Sequence, residues 1–280
     1  MAKRSLLFFC IFLSTFSIWA QNTLRTQVAK DSKGFLPENL SLALVQELEG
    51  NNQKDLEGER RIQSLSLLSL SYELDKQDSL QLVAAYTSRP NQSEEGGEFL
   101  NTSITWLSKA NRLYGEKFLT YRHGFSSYLP TSASDREDTS FRSAITYRPR
   151  ITLDFSEIAL PLQLDYRPSL RRNFHRFTTD AFSQFNVEYS FANRLLTTYQ
   201  LSEKWLLNLD LNYIVNRTYN SVDTTQFQIA ESLIWNWNQN WSIAIGHRNG
   251  GSSLRADGSS NIGLYDAIQS QYFTYFEFLM

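Results

Sequence analysis

Apolar and polar residues alternate with a period of two through most of the chain. Leu80, Leu82 and Tyr86 alternate with Gln81, Val83, Ala85 and Thr87. Ile158, Leu160, Leu162, Leu164 and Tyr166 alternate with Glu157, Ala159, Gln163, Asp165 and Arg167. Phe185, Val187, Tyr189 and Phe191 oppose Asn186, Glu188, Ser190 and Ala192, and Trp205, Leu207, Leu209, Leu211 and Tyr213 oppose Leu206, Asn208, Asp210 and Asn212. Successive side chains of a strand point to opposite faces, so each segment has one apolar and one polar face. About twelve such segments are present, each near the ten residues a tilted strand needs to cross a bilayer. They begin near Leu40, Ile62, Leu80, Leu100, Phe118, Ser140, Glu157, Phe185, Trp205, Phe227, Trp241 and Ser270. The Glu157 segment is the weakest, because Pro161 and Pro168 cannot donate ladder hydrogen bonds.

The links between segments alternate in length. Short links fall at 75–78, 110–116, 149–156, 201–204 and 238–240; mostly longer, more polar ones fall at 49–61, 89–99, 130–138, 169–183, 218–225 and 249–269. This parity predicts an up-and-down antiparallel β-barrel with short periplasmic turns and longer outer loops. Trp106, Trp205, Trp235, Trp237 and Trp241 all sit within a few residues of a short link, as an interfacial aromatic girdle would. A soluble sandwich would not gather its tryptophans beside one set of turns.

Closure follows from the solvent. Hydrocarbon offers no hydrogen-bond partners, so every backbone N–H and C=O within it must be paired, and a sheet achieves this only by joining its edges. The apolar face then turns outward and the polar face inward. The predicted lumen-lining set is Arg122, Arg142, Asp165, Glu188, Arg194, Asp210 and Glu277. Burying these groups in a dry core is costly; lining a wet or salt-bridged interior is not.

The first twenty residues set the compartment. Lys3 and Arg4 precede an apolar run from Leu6 to Trp19, and Ala20 offers a small residue for cleavage before Gln21. This order reads as a secretory signal peptide, and the run is short for a membrane-spanning anchor. The expected organisation is a signal peptide at 1–20, a periplasmic N-terminal segment at 21–37 and a barrel at 38–280. Cys10, the chain's single cysteine, falls in the leader, so the mature chain has no thiol chemistry. Cleavage removes two basic residues and leaves 25 basic against 29 acidic, a net charge of −4. Such a balance argues against a nucleic-acid partner. Three scattered histidines (His123, His175 and His247) without cysteine argue against a metal site, and no cofactor motif is visible.

The leader, the alternating segments and the aromatic last segment Tyr272-Phe273-Thr274-Tyr275-Phe276-Glu277-Phe278 resemble Gram-negative outer-membrane β-barrel proteins. The resemblance implies residence in the cell outer membrane, contact with its lipid and lipopolysaccharide, and recognition of the last strand by the barrel assembly machinery. The family typically ends on an aromatic residue, whereas this chain ends on Met280, with Phe278 two positions earlier.

Three functional readings follow. A porin-like passive channel for small solutes is motivated by the charged inward face; mixed signs in similar numbers predict no strong ion selectivity. A non-conducting structural or surface-recognition barrel results if those charges merely pair and fill the lumen. A third reading rests on Gly246-His247-Arg248-Asn249-Gly250-Gly251-Ser252-Ser253, which resembles the outer-membrane phospholipase A family, where a strand histidine is followed two residues later by the nucleophilic serine. Here that position is Asn249, which leaves a base–nucleophile pair unsupported and no catalytic residue predicted. In the expected outer loops, Arg171, Arg172 and Arg176 could meet lipopolysaccharide phosphates, while Glu94, Glu95 and Glu98 could bind a divalent cation, against which Gly96 and Gly97 point to simple disorder.

Overall fold

A computed structural model describes residues 37, 39–54, 60–74, 78–90, 96–113, 118–255, 259–266 and 270–280. The leader, nearly all of the N-terminal segment, and Glu94 and Glu95 lie outside the described residues. The strands are β1 (Leu40–Lys54), β2 (Arg60–Glu73), β3 (Ser79–Ser88), β4 (Glu98–Phe99), β5 (Thr102–Leu107), β6 (Asn111–Arg112), β7 (Leu119–Arg122), β8 (Gly124–Leu129), β9 (Phe141–Tyr147) and β10 (Arg150–Asp154). They continue with β11 (Leu162–His175), β12 (Val187–Gln200), β13 (Trp205–Thr218), β14 (Asp223–Asn236), β15 (Trp241–Ser252) and β16 (Gln271–Leu279). Three passes are interrupted, β4–β5–β6, β7–β8 and β9–β10, so these segments make twelve passes of one closed antiparallel barrel. The first and last strands meet along a continuous ladder from Ala43↔Leu279 to Asn51↔Gln271.

The alternation turns outward as the sequence predicts. Leu44, Leu48, Leu80, Leu82, Trp205, Leu207, Tyr272 and Phe276 are exposed on the outer wall, while Val45, Glu47, Gln81, Val83, Phe273, Tyr275 and Glu277 are buried inside. An apolar exterior around an enclosed polar interior is the arrangement that lipid requires.

Several link assignments change, among them 169–183, whose residues up to His175 belong to β11. Residues 150–154 are not a link: they form β10, which continues the preceding pass and pairs with both β7 and β11. The turn lies at 155–161, where Phe155–Ile158 form one 3-10 turn capped by the Asp154 side chain. Pro161 therefore precedes β11. Pro168 falls where β11 changes partner from β10 (through Tyr166) to β9 (from Leu170), a gap that accommodates a residue without N–H. The link at 218–225 contracts to four residues, closed by Thr218 N–H donating to Val222 O at 3.0 Å, with Ser221 in the left-handed region.

The loop between β8 and β9 carries one short helix, α1 (Ala133–Glu137), capped by Ser132. Asn101 donates to Asp135 and Ser134 Oγ donates to Glu98 at 3.0 Å, which ties this loop to the pass before it at the long-loop end.

Candidate functional site

The interior is asymmetric. On the side of β14–β16 and β1–β3 it is filled by Val45, Leu67, Val83, Ile234, Ala244, Phe273 and Tyr275, with Leu206 and Ala230 packed against them. Above this cluster Arg248 lies 2.6 Å from Glu49 and 3.1 Å from Glu47, reaching across β16 to β1, with its guanidinium over the Phe273 ring. Ser242 Oγ donates to Glu277 at 3.0 Å on the same side. On the other side, enclosed by β3–β5 and β7–β13 and overhung by the α1 loop, is a cavity of about 320 Å³.

Six arginines line that cavity: Arg122, Arg148, Arg150, Arg167, Arg171 and Arg194. Four of them stand at one level. Arg122 is in register with Arg150, and Arg167 with Arg194. Arg150 and Arg167 are one step beyond the Ile151↔Tyr166 pair that joins their strands. Like charges on adjacent strands repel, and this belt is held by carboxylates set between its members. Asp165, only 1% exposed, accepts from Arg150 Nε and Nη2 at 2.7 and 2.9 Å, from Arg167 at 3.1 Å, and from Thr152 and Gln163. Asp210 takes Arg194 through both carboxylate oxygens, the Nε contact being 2.8 Å. Bidentate pairing fixes each guanidinium plane. Toward the long-loop end, Arg171 lies over the Tyr128 ring at 4.4 Å and Arg148 donates to Tyr128 Oη at 3.2 Å. Glu98 and Asp135 also line the cavity. Six guanidiniums thus face four carboxylates, an excess of two positive charges on the open side. Burial pushes the Asp135 carboxyl up from its ordinary range, opposed by Arg171 and reinforced by Glu98.

Of the predicted lumen residues, Arg122 and Arg194 line this cavity, Asp165 and Asp210 brace its arginines, and Glu277 sits in the filled half. Arg142 and Glu188 depart from the expectation, and for one reason. Ser143 and Phe141 oppose consecutive residues Phe174 and His175, so Arg142 is the extra residue of a bulge and is exposed, while Phe141 turns inward. Val187 and Tyr189 likewise oppose Thr218 and Arg217, so Glu188 is extruded and pairs with Arg172 at 3.6 Å while Val187 lines the cavity. A bulge inserts one residue and inverts the facing of everything beyond it.

The predicted outer-loop cluster divides. Arg171, Arg172 and His175 belong to β11; Arg171 and His175 face the cavity, whereas Arg172 and, beyond the strand, Arg176 are exposed and lean on Phe174, Tyr189 and Phe177. His175 is also within 3.4 Å of Tyr219 Oη, and His123 lies 2.8 Å from Tyr147 Oη. The five tryptophans gather at the short-turn end: Trp205 is in register with Trp235 and stacks on it at 6.1 Å, Trp237 stacks on Trp235, Trp241 packs on Phe278 and Trp106 on Phe125. His247 faces outward with its Nδ1 2.9 Å from Glu231 and its ring against Tyr265 and Tyr272. Ser252 Oγ donates to Leu254 O, and Ser253 Oγ is bonded to Thr225. Neither serine is joined to the histidine.

Sequence reading missed Arg148, Arg150, which it left in the 149–156 link, and the Glu47–Glu49–Arg248 group. The period-two rhythm of Leu44, Gln46 and Leu48 against Val45, Glu47 and Glu49 was the available signal for the two glutamates.

The sequence matches no protein-family model and no curated protein. Among solved structures, the fold is similar to an outer-membrane channel from Pseudomonas putida F1, with a TM-score of 0.59, 11% identity, and coverage of 89% of this chain and 99% of that one. It is also similar to the NanC porin, with a TM-score of 0.55, 9% identity, and coverage of 85% and 98%. With its apolar belt turned outward, its charges enclosed and its first and last strands joined, the chain is a closed antiparallel β-barrel with the fold of outer-membrane channels.

Proposed function

We propose that this barrel is a porin-like passive channel for small solutes, and that its conducting path is the arginine-lined cavity, which favours anions. The observation that carries the reading is the arginine belt, Arg122–Arg150–Arg167–Arg194, four like charges across adjacent strands on the one side of the interior that is not filled. A barrel that only needed filling would pair charges one to one, as mixed signs in the sequence first suggest. Here the packing is confined to one half, and the open half keeps an excess of cations. Rings of arginine suit anion pores because they offset the loss of an anion's hydration. The half-filled interior makes the path narrow, fit for small molecules. Two porin-type neighbours with the same fold support the class of function. The exposed Arg172 and Arg176 at the rim suit lipopolysaccharide phosphates.

Purified protein in a planar bilayer tests the reading. Discrete single-channel steps with a reversal potential on the anion side are expected. Membranes that stay silent at high protein loading would leave a structural or surface-recognition barrel instead.

A further inference from the structure

The outer wall carries a cationic patch at the long-loop end, and the two bulges help to make it. Undisturbed alternation would send Arg142 and Glu188 into the lumen; each bulge turns its residue to the membrane side instead. Arg142 comes to stand opposite Phe174 and His175, midway between Arg172 and Arg176. All three arginines are exposed. The Arg172 guanidinium lies 5.3 Å from the ring centroids of both Phe174 and Tyr189, and that of Arg176 lies 5.1 Å from Phe177. Glu188 approaches Arg172 at 3.6 Å, whereas neither Arg142 nor Arg176 has a carboxylate at ion-pair distance among the described residues. Three cations against one anion leave an excess of two positive charges.

Beneath the patch the wall is apolar. Ile145 is in register with Arg172, and Leu170 pairs with Phe191 two residues nearer the short-turn end; all three are exposed. Guanidiniums above and bare apolar side chains below match an amphiphile that is anionic at its head.

The chemistry of that amphiphile is narrowed by exclusion. A soluble phosphate gains nothing from Ile145, Leu170 and Phe191. A zwitterionic phospholipid carries an ammonium beside its single phosphate, which the excess positive charge repels. A glycolipid with several phosphates and several acyl chains uses both halves of the patch. Arginine's planar fork suits phosphate oxygens, and the rings beside Arg172 and Arg176 hold those guanidiniums in place beforehand. We infer that this face binds one lipopolysaccharide molecule, its lipid A phosphates on Arg142, Arg172 and Arg176 and its acyl chains against the apolar wall. The inference takes its place in the outer leaflet from the channel reading and extends the rim contact there; it needs no conduction.

Native mass spectrometry on the barrel refolded without lipopolysaccharide tests it, with lipid A, its dephosphorylated form and phosphatidylethanolamine as probes. A one-to-one lipid A complex is expected. The other two should bind at least about tenfold more weakly, having lost several such contacts. Arg142→Gln, Arg172→Gln and Arg176→Gln should each weaken lipid A by about fivefold, the upper range for an exposed ion pair, and the triple variant by about a hundredfold. Arg217→Gln serves as control: Arg217 is an exposed rim arginine already paired with Asp223 at 3.6 Å, and its loss should change nothing. Heat-modifiable mobility in gels verifies that each variant is folded. Equal binding of the phosphorylated and dephosphorylated forms by the parent would overturn the inference. Full lipid A binding by the folded triple variant would do so too, as would a loss in Arg217→Gln as large as in the others. Tight lipid A binding with a silent bilayer removes the channel and keeps the site; a conducting barrel that ignores lipid A does the reverse.

Discussion

The charge excess in the cavity can be converted into a selectivity. Arg122 is the belt member with no carboxylate at ion-pair distance among the described residues, and it lines the cavity, so its replacement removes charge with little disturbance of the Asp165 and Asp210 clusters. An ion passing about 6 Å from one net charge in water interacts by roughly 0.7 kcal/mol, reduced to about 0.4 kcal/mol by screening at 0.1 M salt. Two net charges attract an anion and repel a cation by about 0.8 kcal/mol each, a difference of about 1.6 kcal/mol, or an anion-to-cation ratio of roughly 15. Arg122→Gln leaves one net charge and a ratio of about 4; Arg122→Glu leaves none and a ratio near 1. Reversal potentials across a tenfold potassium chloride gradient measure all three. A graded fall in that order is expected. Reversal potentials that coincide in the parent and Arg122→Glu would show that ions do not pass the belt, and the calculation would fail at its first premise.

Acidification should act in the same currency. Asp135 lies in the loop helix and its carboxyl is raised by burial, so it protonates at a pH above the ordinary aspartate range. The cavity excess then grows from two to three, and anion preference should rise as pH falls through that value; Asp135→Asn should be flat over the same window. The sign for loop stability agrees, since a raised carboxyl binds its proton more tightly folded than unfolded and loses that contribution as pH rises. Arg248→Leu should destabilise the barrel by about 3–5 kcal/mol in urea unfolding from micelles, because the buried Glu47 and Glu49 lose the guanidinium they share. Replacing all three by leucine should restore much of that loss. A Cβ at Gly246 would come within 2.3 Å of the Phe273 ring and 2.6 Å of Glu231 O, so Gly246→Val should cost about 1–3 kcal/mol in the same assay. Release of fatty acid from phospholipid vesicles should not depend on Ser252 or His247; a hydrolysis abolished by both Ser252→Ala and His247→Ala would revive the lipase-like reading.

The strands were legible because period-two alternation is a local signal, written in neighbours such as Trp205 to Tyr213. Interior and exterior were legible wherever a strand runs undisturbed. They failed at Arg142 and Glu188, where bulges add one residue: nothing in either residue type announces an extra step, and the partner strand that fixes it is distant in sequence. The arginine belt was illegible for a related reason. Arg122 and Arg150 come from different passes, as do Arg167 and Arg194, and only the register brings them to one level. The sequence also counted charges over the whole interior, where signs balance. It had no means of knowing that packing would enclose Glu47, Glu49 and Glu277 on one side and leave the guanidiniums facing space on the other.

The Arg248 contact also bears on how the molecule is made. Its partners Glu49 and Glu47 lie 199 and 201 residues earlier, on the opposite side of the join between β1 and β16. During export the two glutamates emerge long before the cation that neutralises them, and they meet it only when the final hairpin docks. A prematurely terminated polypeptide would therefore keep two inward-facing anions beside an unjoined sheet margin, without the arginine that holds them. Insertion of such a fragment is opposed by its own electrostatics, so completeness of synthesis is tested at the moment the cylinder shuts.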